Sequence, residues 1–181
     1  MIMDEAKAMM DKSLEHLSKE LVQVRTGKAS PSMLQSILVP YYGTPTPLQQ
    51  VANVTTSDSR TIVIKPWEKS IIPAIEKAIM EANIGITPQN DGEVVRLSIP
   101  PLTEERRKEM VKRAKALGEE SKVGVRSARR EAMDMLKQAV KDGYPEDMGK
   151  KREKDIQDMT DSHVERIDEM IEAKEKDIMT V

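Results

Sequence analysis

Proline settles the organisation of this chain before any other residue does. Nine of its ten prolines (31, 40, 45, 47, 66, 73, 88, 100 and 101) fall between residues 30 and 102, and the tenth is Pro145. Proline fixes φ, lacks a backbone donor and breaks helices, so it collects at turns and strand edges. Charge is distributed the other way: 11 of the 73 residues in 30–102 are Asp, Glu, Lys or Arg, against 49 of the other 108. Eleven of thirteen methionines also lie outside that segment. The chain therefore reads as α+β with two domains of unlike composition. Residues 1–29 and 103–181 form a discontinuous helical domain, and 30–102 an inserted domain that contains β-structure.

The flanks carry helical periodicity. Met10, Leu14, Leu17, Leu21 and Val24 alternate steps of four and three, the seam of a packed helix. "PPLTEERRKEM" opens a second helix, with Thr103 as N-cap and Glu104 and Glu105 at the positive end of its dipole. Met110, Ala114, Leu117, Ala128, Ala132, Met135 and Ala139 share one side of it. "KDGYPED" stops it, Gly143 supplying a left-handed cap and Pro145 starting a third helix, where Ile156, Met159, His163, Ile167, Met170 and Ile178 align. No such helix buries its stripe alone, so the three pack as a long antiparallel bundle. Between them the spacing predicts strands near 36–40, 51–56, 61–65 and 94–99, a helix ending at Gly85, and turns at Gly43, "TPTP" and "SDSR".

Charge is segregated within a formal net charge of −2. Segment 106–130 holds ten basic residues against three acidic, and 131–181 holds nine against fifteen. At about 100° per residue, Lys108, Lys112, Lys115, Lys122, Arg129, Arg130 and Lys137 lie within about 60° of Arg126, with Glu119 the one clear acid among them. A face kept wet for solubility mixes signs and places Glu four residues before Lys. Like charges four apart repel, a cost that makes sense against an extended anionic partner. RNA backbone fits best and an acidic protein next. With so few aromatics, base stacking on single strands is disfavoured, and the contact is to phosphates and shape.

Catalytic chemistry is thin. No cysteine means no disulfide and no thiolate metal site, in keeping with a reducing, cytoplasmic setting. "MIMDEAKAMM" is not a signal peptide, and no run of 18 apolar residues occurs, so no membrane partner is expected. His16 and His163 have no metal or triad spacing, and His163, on an apolar seam, reads as structural. "RTGKAS" lacks the first glycine of a phosphate loop and follows a helix rather than a strand; it reads as a helix end capped by Gly27, with Arg25 and Lys28 on the last carbonyls. Glu146–Asp147 and Asp155–Asp158 have no convergent partner. The expectation is a protein that is not an enzyme and holds no cofactor and no metal. Two other readings remain open at this point: a general RNA-binding adaptor, which would bind bare RNA and ribosomes alike, and a hydrolase or transferase with an unfamiliar site, which would show turnover in isolation.

"VRTGKASPSML", "YYGTPTPLQQVANVT", "SRTIVIKPW", "AIEKAIMEANIGITP" and "IPPLTEERRKEMVKRAK", followed by "VRSARREAMD", occur in an order that resembles the ribosome recycling factor family over essentially the whole chain. The resemblance implies an L-shaped pair of domains, a three-helix bundle with a β/α/β domain inserted after the first helix. It implies a monomer that binds the large ribosomal subunit (23S-type rRNA) after peptide release. With elongation factor G and GTP it splits the ribosome into subunits and frees it from mRNA, the GTP being used by the partner. The rRNA-facing positions matched here are Arg126, Arg129, Arg130, Lys122, Arg107 and Arg25. Arg107 lies about 100° off the stripe axis, which fits bundle packing or the domain junction as well as RNA. The two crossings, with Lys28, Pro31, Pro100, Pro101 and Thr103, are the expected hinge, stiffened by proline.

Overall fold

The computed structural model describes residues 1–180. The chain divides into two compact units, Met1–Val24 with Glu105–Val181, and Arg25–Glu104. Lys28, Pro31, Pro100, Pro101 and Thr103 fall inside the second unit by this division, and so does Arg25.

The first unit is made of α1 (Ile2–Val22), α4 (Glu104–Lys141, its first residue assigned to the other unit) and α5 (Glu146–Met179). Helix α1 buries Ala6, Met10, Leu14, Leu17 and Leu21, the steps its sequence announces. Helix α4 begins directly after Thr103 and stops where Gly143 takes φ 107°. There the amide of Tyr144 donates to Ala139 O at 2.9 Å and that of Gly143 to Val140 O at 3.2 Å, the paired bonds of a Schellman end. The short return sends α5 back antiparallel to α4. Met10, Leu14, Leu17, Ala114, Val125, Ala128, Ile167 and Ile178 form one core, and Ala6, Ala132, Leu136 and Ile156 a second nearer the α4–α5 turn.

Small residues let these helices approach. A Cβ on Gly118 would stand 2.6 Å from Ile171 Cγ1, and one on Gly124 would stand 2.6 Å from Ser13 Oγ. Ser121, buried beside them, donates to Ser13 O. The buried face of α4 is therefore Ala114, Gly118, Ser121, Val125, Ala128, Ala132 and Leu136. That is a correction: Met135, expected to pack, is 43% exposed, and the seam is rotated toward the basic side of the helix.

His163 is structural, as expected. Its Nδ1 lies 2.7 Å from Met159 O and its Nε2 lies 2.8 Å from Asp11 Oδ1, joining α5 to α1. Hydrogen bonds from Lys7 and then from His163 hold the Asp11 carboxyl below its ordinary value of 3.8. A depressed carboxylate contributes stability above its unfolded value and loses it as pH falls through the folded one. Thermal melts of Asp11→Asn should therefore show a shallower loss of stability than wild type below the ordinary carboxylate value. The difference should be under ~1 kcal/mol, because Asp11 is half exposed.

The second unit carries a four-stranded antiparallel sheet in the order β3 (Ala52–Asp58), β4 (Thr61–Pro66), β6 (Val95–Ser98), β5 (Gln89–Asn90), covered on one face by α3 (Ile72–Glu81). Alternation puts Ile62 and Ile64, with Val95 and Leu97, into a core completed by Ile72, Ile75 and Ile79. A separate hairpin pairs β1 (Leu38–Tyr41) with β2 (Thr44–Pro47), and the one-turn helix α2 (Leu48–Val51) follows it. "TPTP", expected as a turn, is thus a strand. The turn is Tyr42–Gly43, both at positive φ (48° and 78°), the type I′ geometry that matches strand twist. Proline is tolerated because the hairpin has only edge strands.

The end of α1 also differs from expectation. The helix stops at Val22 with Gln23 as its cap, so Gly27 does not close it. Gly27 has φ 75° and lies against Leu102, whose N and Cγ would each be 3.2 Å from a Cβ there. Arg25 does not reach the carbonyls of α1; its guanidinium donates to Ile84 O, in space left by the missing side chain of Gly85.

Candidate nucleic-acid interface

The cationic face of α4 exists, and it is divided in two. Lys112, Arg126, Arg130 and Lys137 are exposed, and Lys108 is exposed at its start. Arg126 and Arg130 sit one turn apart and neither has a hydrogen-bond or ion-pair partner among the described residues. These two guanidiniums offer planar forks to an incoming anion with nothing to displace.

The other cations lean toward α5. Lys122 Nζ is 2.6 Å from Asp168 Oδ1 and 3.4 Å from Glu119 Oε1. Its side chain is only 16% exposed, and the Asp168 hydrogen bond raises its pKa above the ordinary lysine value. A raised lysine keeps its charge, and whatever stability the pair gives, throughout the neutral range, losing it only as pH rises through the folded value. Arg129 is half-buried; its Nη1 donates to Gln157 Oε1 at 3.3 Å, while Gln157 Nε2 donates to Asp161 Oδ1 at 2.9 Å. Lys115 Nζ is 3.4 Å from Glu175 Oε1, an oxygen otherwise buried without a hydrogen bond.

Arg107 is not part of the exposed row. Arg107 is half-buried, with its Nε lacking a hydrogen-bond partner, and Arg25 belongs to the second unit. Residues that the sequence reading missed are those on α5, namely Gln157, Asp161, Asp168 and Glu175. The signal of the three acids was their spacing of seven, matched to Lys115, Lys122 and Arg129; Gln157, four residues before Asp161, carried none.

Among the described residues, no group of three or more His, Asp or Glu is placed to hold a metal ion, and no helix is long and apolar enough to cross a membrane. The arrangement presents fixed positive charge along one long helix.

Comparison with known proteins gives one answer. The family model described as "Ribosome recycling factor" matches residues 17–179. A ribosome-recycling factor of Porphyromonas gingivalis is 53% identical over 97% of this chain and 95% of its own length. One from Desulforamulus reducens is 48% identical, over 99% of this chain and 98% of its own. A solution structure of a ribosome recycling factor is similar with TM-score 0.85 at 39% identity, covering 99% of this chain and 96% of that one. A T. thermophilus ribosome recycling factor, described with E. coli elongation factor G on the E. coli post-termination complex, is similar with TM-score 0.68 at 42% identity, covering 99% of this chain and 97% of that one.

Proposed function

The chain belongs to the ribosome recycling factor family, and from that premise we propose that the open row of α4, led by Arg126 and Arg130, docks on RNA of the large ribosomal subunit. The family supplies the function, the recycling of ribosomes, and a relative bound with elongation factor G on the post-termination complex supports both partners. The observation that carries the docking surface is the pair of unpartnered guanidiniums on a face where eight basic positions meet one acid. Arg129 and Lys122 flank that pair from the α5 side. Arg107, half-buried, and Arg25, bonded to Ile84 O, stand outside the open row that this reading relies on.

In this reading the protein hydrolyses nothing. GTP is used by elongation factor G, and the bundle holds its place on RNA while the Arg25–Glu104 unit is moved. Sedimentation with purified large and small subunits, then with vacant ribosomes, elongation factor G and GTP, tests it. Selective binding to the large subunit and splitting only with the partner present are expected. GTP turnover by the purified protein alone would remove the non-enzyme reading.

The chain passes between its units at Val24–Arg25 and Glu104–Glu105. Pro100 and Pro101 stiffen the approach to the second crossing. Glycine at both should leave large-subunit binding within about twofold and slow splitting several-fold, because a softened link transmits less force. An unchanged splitting rate would make the prolines incidental.

A further inference from the structure

Three cations of α4 and three carboxylates of α5 stand in one antiparallel register. Lys115 faces Glu175, Lys122 faces Asp168, and Arg129 is reached from Asp161 through Gln157. Each row advances by seven residues, the spacing that keeps side chains on one seam of packed helices. Apart from Lys122, Arg129 and Glu175 these groups are at the surface, where ion pairs add little stability. Stability is therefore a weak reason for the ladder. Its electrostatic effect is larger: an anion approaching Lys122 finds Asp168 Oδ1 already 2.6 Å and Glu119 Oε1 3.4 Å from the ammonium.

We propose that Asp161, Asp168 and Glu175, with Gln157, form a selectivity edge for the cationic face. They hold the three seam cations in intramolecular pairs and leave only the outer row open. A nucleic acid is then accepted when its phosphates follow the line of Lys112, Arg126, Arg130 and Lys137, and repelled when they stray toward α5. Lys122 and Arg129 are positioned rather than free, and Gln157 is a positioning residue that orients the Arg129 fork. This rests on the RNA-docking reading above. It adds that the acids of α5 decide which RNA is bound, where that reading names only the residues that bind.

The test compares the full chain, an edge variant (Asp161→Asn, Asp168→Asn, Glu175→Gln) and a control variant with the same change in charge elsewhere on α5 (Asp147→Asn, Glu153→Gln, Asp158→Asn). Each is titrated with a short poly(U) RNA and with purified large subunits at several salt concentrations. The edge variant should bind poly(U) roughly tenfold more tightly. Its salt dependence should steepen by about two, as three released cations each take up to ~0.7 of a counterion on a single strand. Its preference for the large subunit should fall by a similar factor, and restoring Asp168 as Glu should recover part of it. The control should change poly(U) binding by less than about threefold. Equal gains in the two variants would mean that net charge alone acts, and an unchanged preference in the edge variant would also overturn the proposal. A wild-type chain with no preference for large subunits would instead remove the docking reading itself, and the edge with it.

Discussion

Replacing Arg126, Arg129 and Arg130 together by Glu should abolish binding to the large subunit while the bundle stays folded. Arg126 and Arg130 are exposed and unpartnered, so their loss leaves no buried group unsatisfied. Arg129 gives up one 3.3 Å bond to Gln157 at the edge of the seam. Surface changes of this kind cost within about ±0.5 kcal/mol each. Against that, the two charge-assisted contacts of Arg126 and Arg130, at ~1.5–3 kcal/mol apiece, are lost, and all three new carboxylates repel the RNA. Affinity should drop by a factor of ~1000 or more on that arithmetic. Circular dichroism and melting should stay near wild type, and the residual salt dependence should fall by about two to three. A variant that still binds normally, or that unfolds, would show that the face has been misassigned.

The second large effect comes from a residue with no charge and no side chain. Gly118→Leu should open the α4–α5 seam, because its first added carbon would already sit 2.6 Å from Ile171 Cγ1 and 3.0 Å from Cδ1. The gain in helix propensity over glycine is at most ~1 kcal/mol. Overpacking of a filled core costs ~1–3 kcal/mol, and more when the intruding group cannot find a rotamer. A net loss of ~2–3 kcal/mol should lower the melting point of the bundle by ~10 °C. Lys115 and Lys122 flank this position, so their pairs with Glu175 and Asp168 should part with it. Calorimetry of the variant beside wild type decides this, and unchanged melting would mean that Ile171 has room to move.

These two residues mark how far the sequence could be read. Arg126 was legible because a guanidinium has one chemistry and a helix has one period. Gly118 and Ser121 were not: small residues leave no mark in a hydrophobic pattern, and they pack closely because they are small. The larger, more visible Leu117 and Met135 drew the predicted seam away from them. The partition of the basic stripe was hidden for a different reason. It depends on the register between two helices joined by a turn, and only the fold shows that residue 122 meets residue 168. "TPTP" was misread because proline usually breaks a strand, and a two-stranded hairpin, which is all edge, removes that objection. Arg25 had a plausible partner in the end of its own helix, and the better one, Ile84 O, lies 59 residues away in sequence.

The discontinuity of the bundle has a consequence during synthesis. Arg25–Glu104 is one continuous stretch and can complete its core while the ribosome is still making α4. Helix α1 cannot, because its partners are α4 and α5. At ~5–20 residues per second, roughly 6–24 s pass between the appearance of α1 and the end of α4. Throughout that interval the stripe of Ala6, Met10, Leu14, Leu17 and Leu21 is uncovered on a nascent chain. Eight of the 21 residues of α1 are Asp, Glu or Lys, which keeps the waiting helix in water. Lengthening the inserted unit would prolong the wait in proportion, whereas residues added between α4 and α5 would leave the first meeting of α1 with α4 on time.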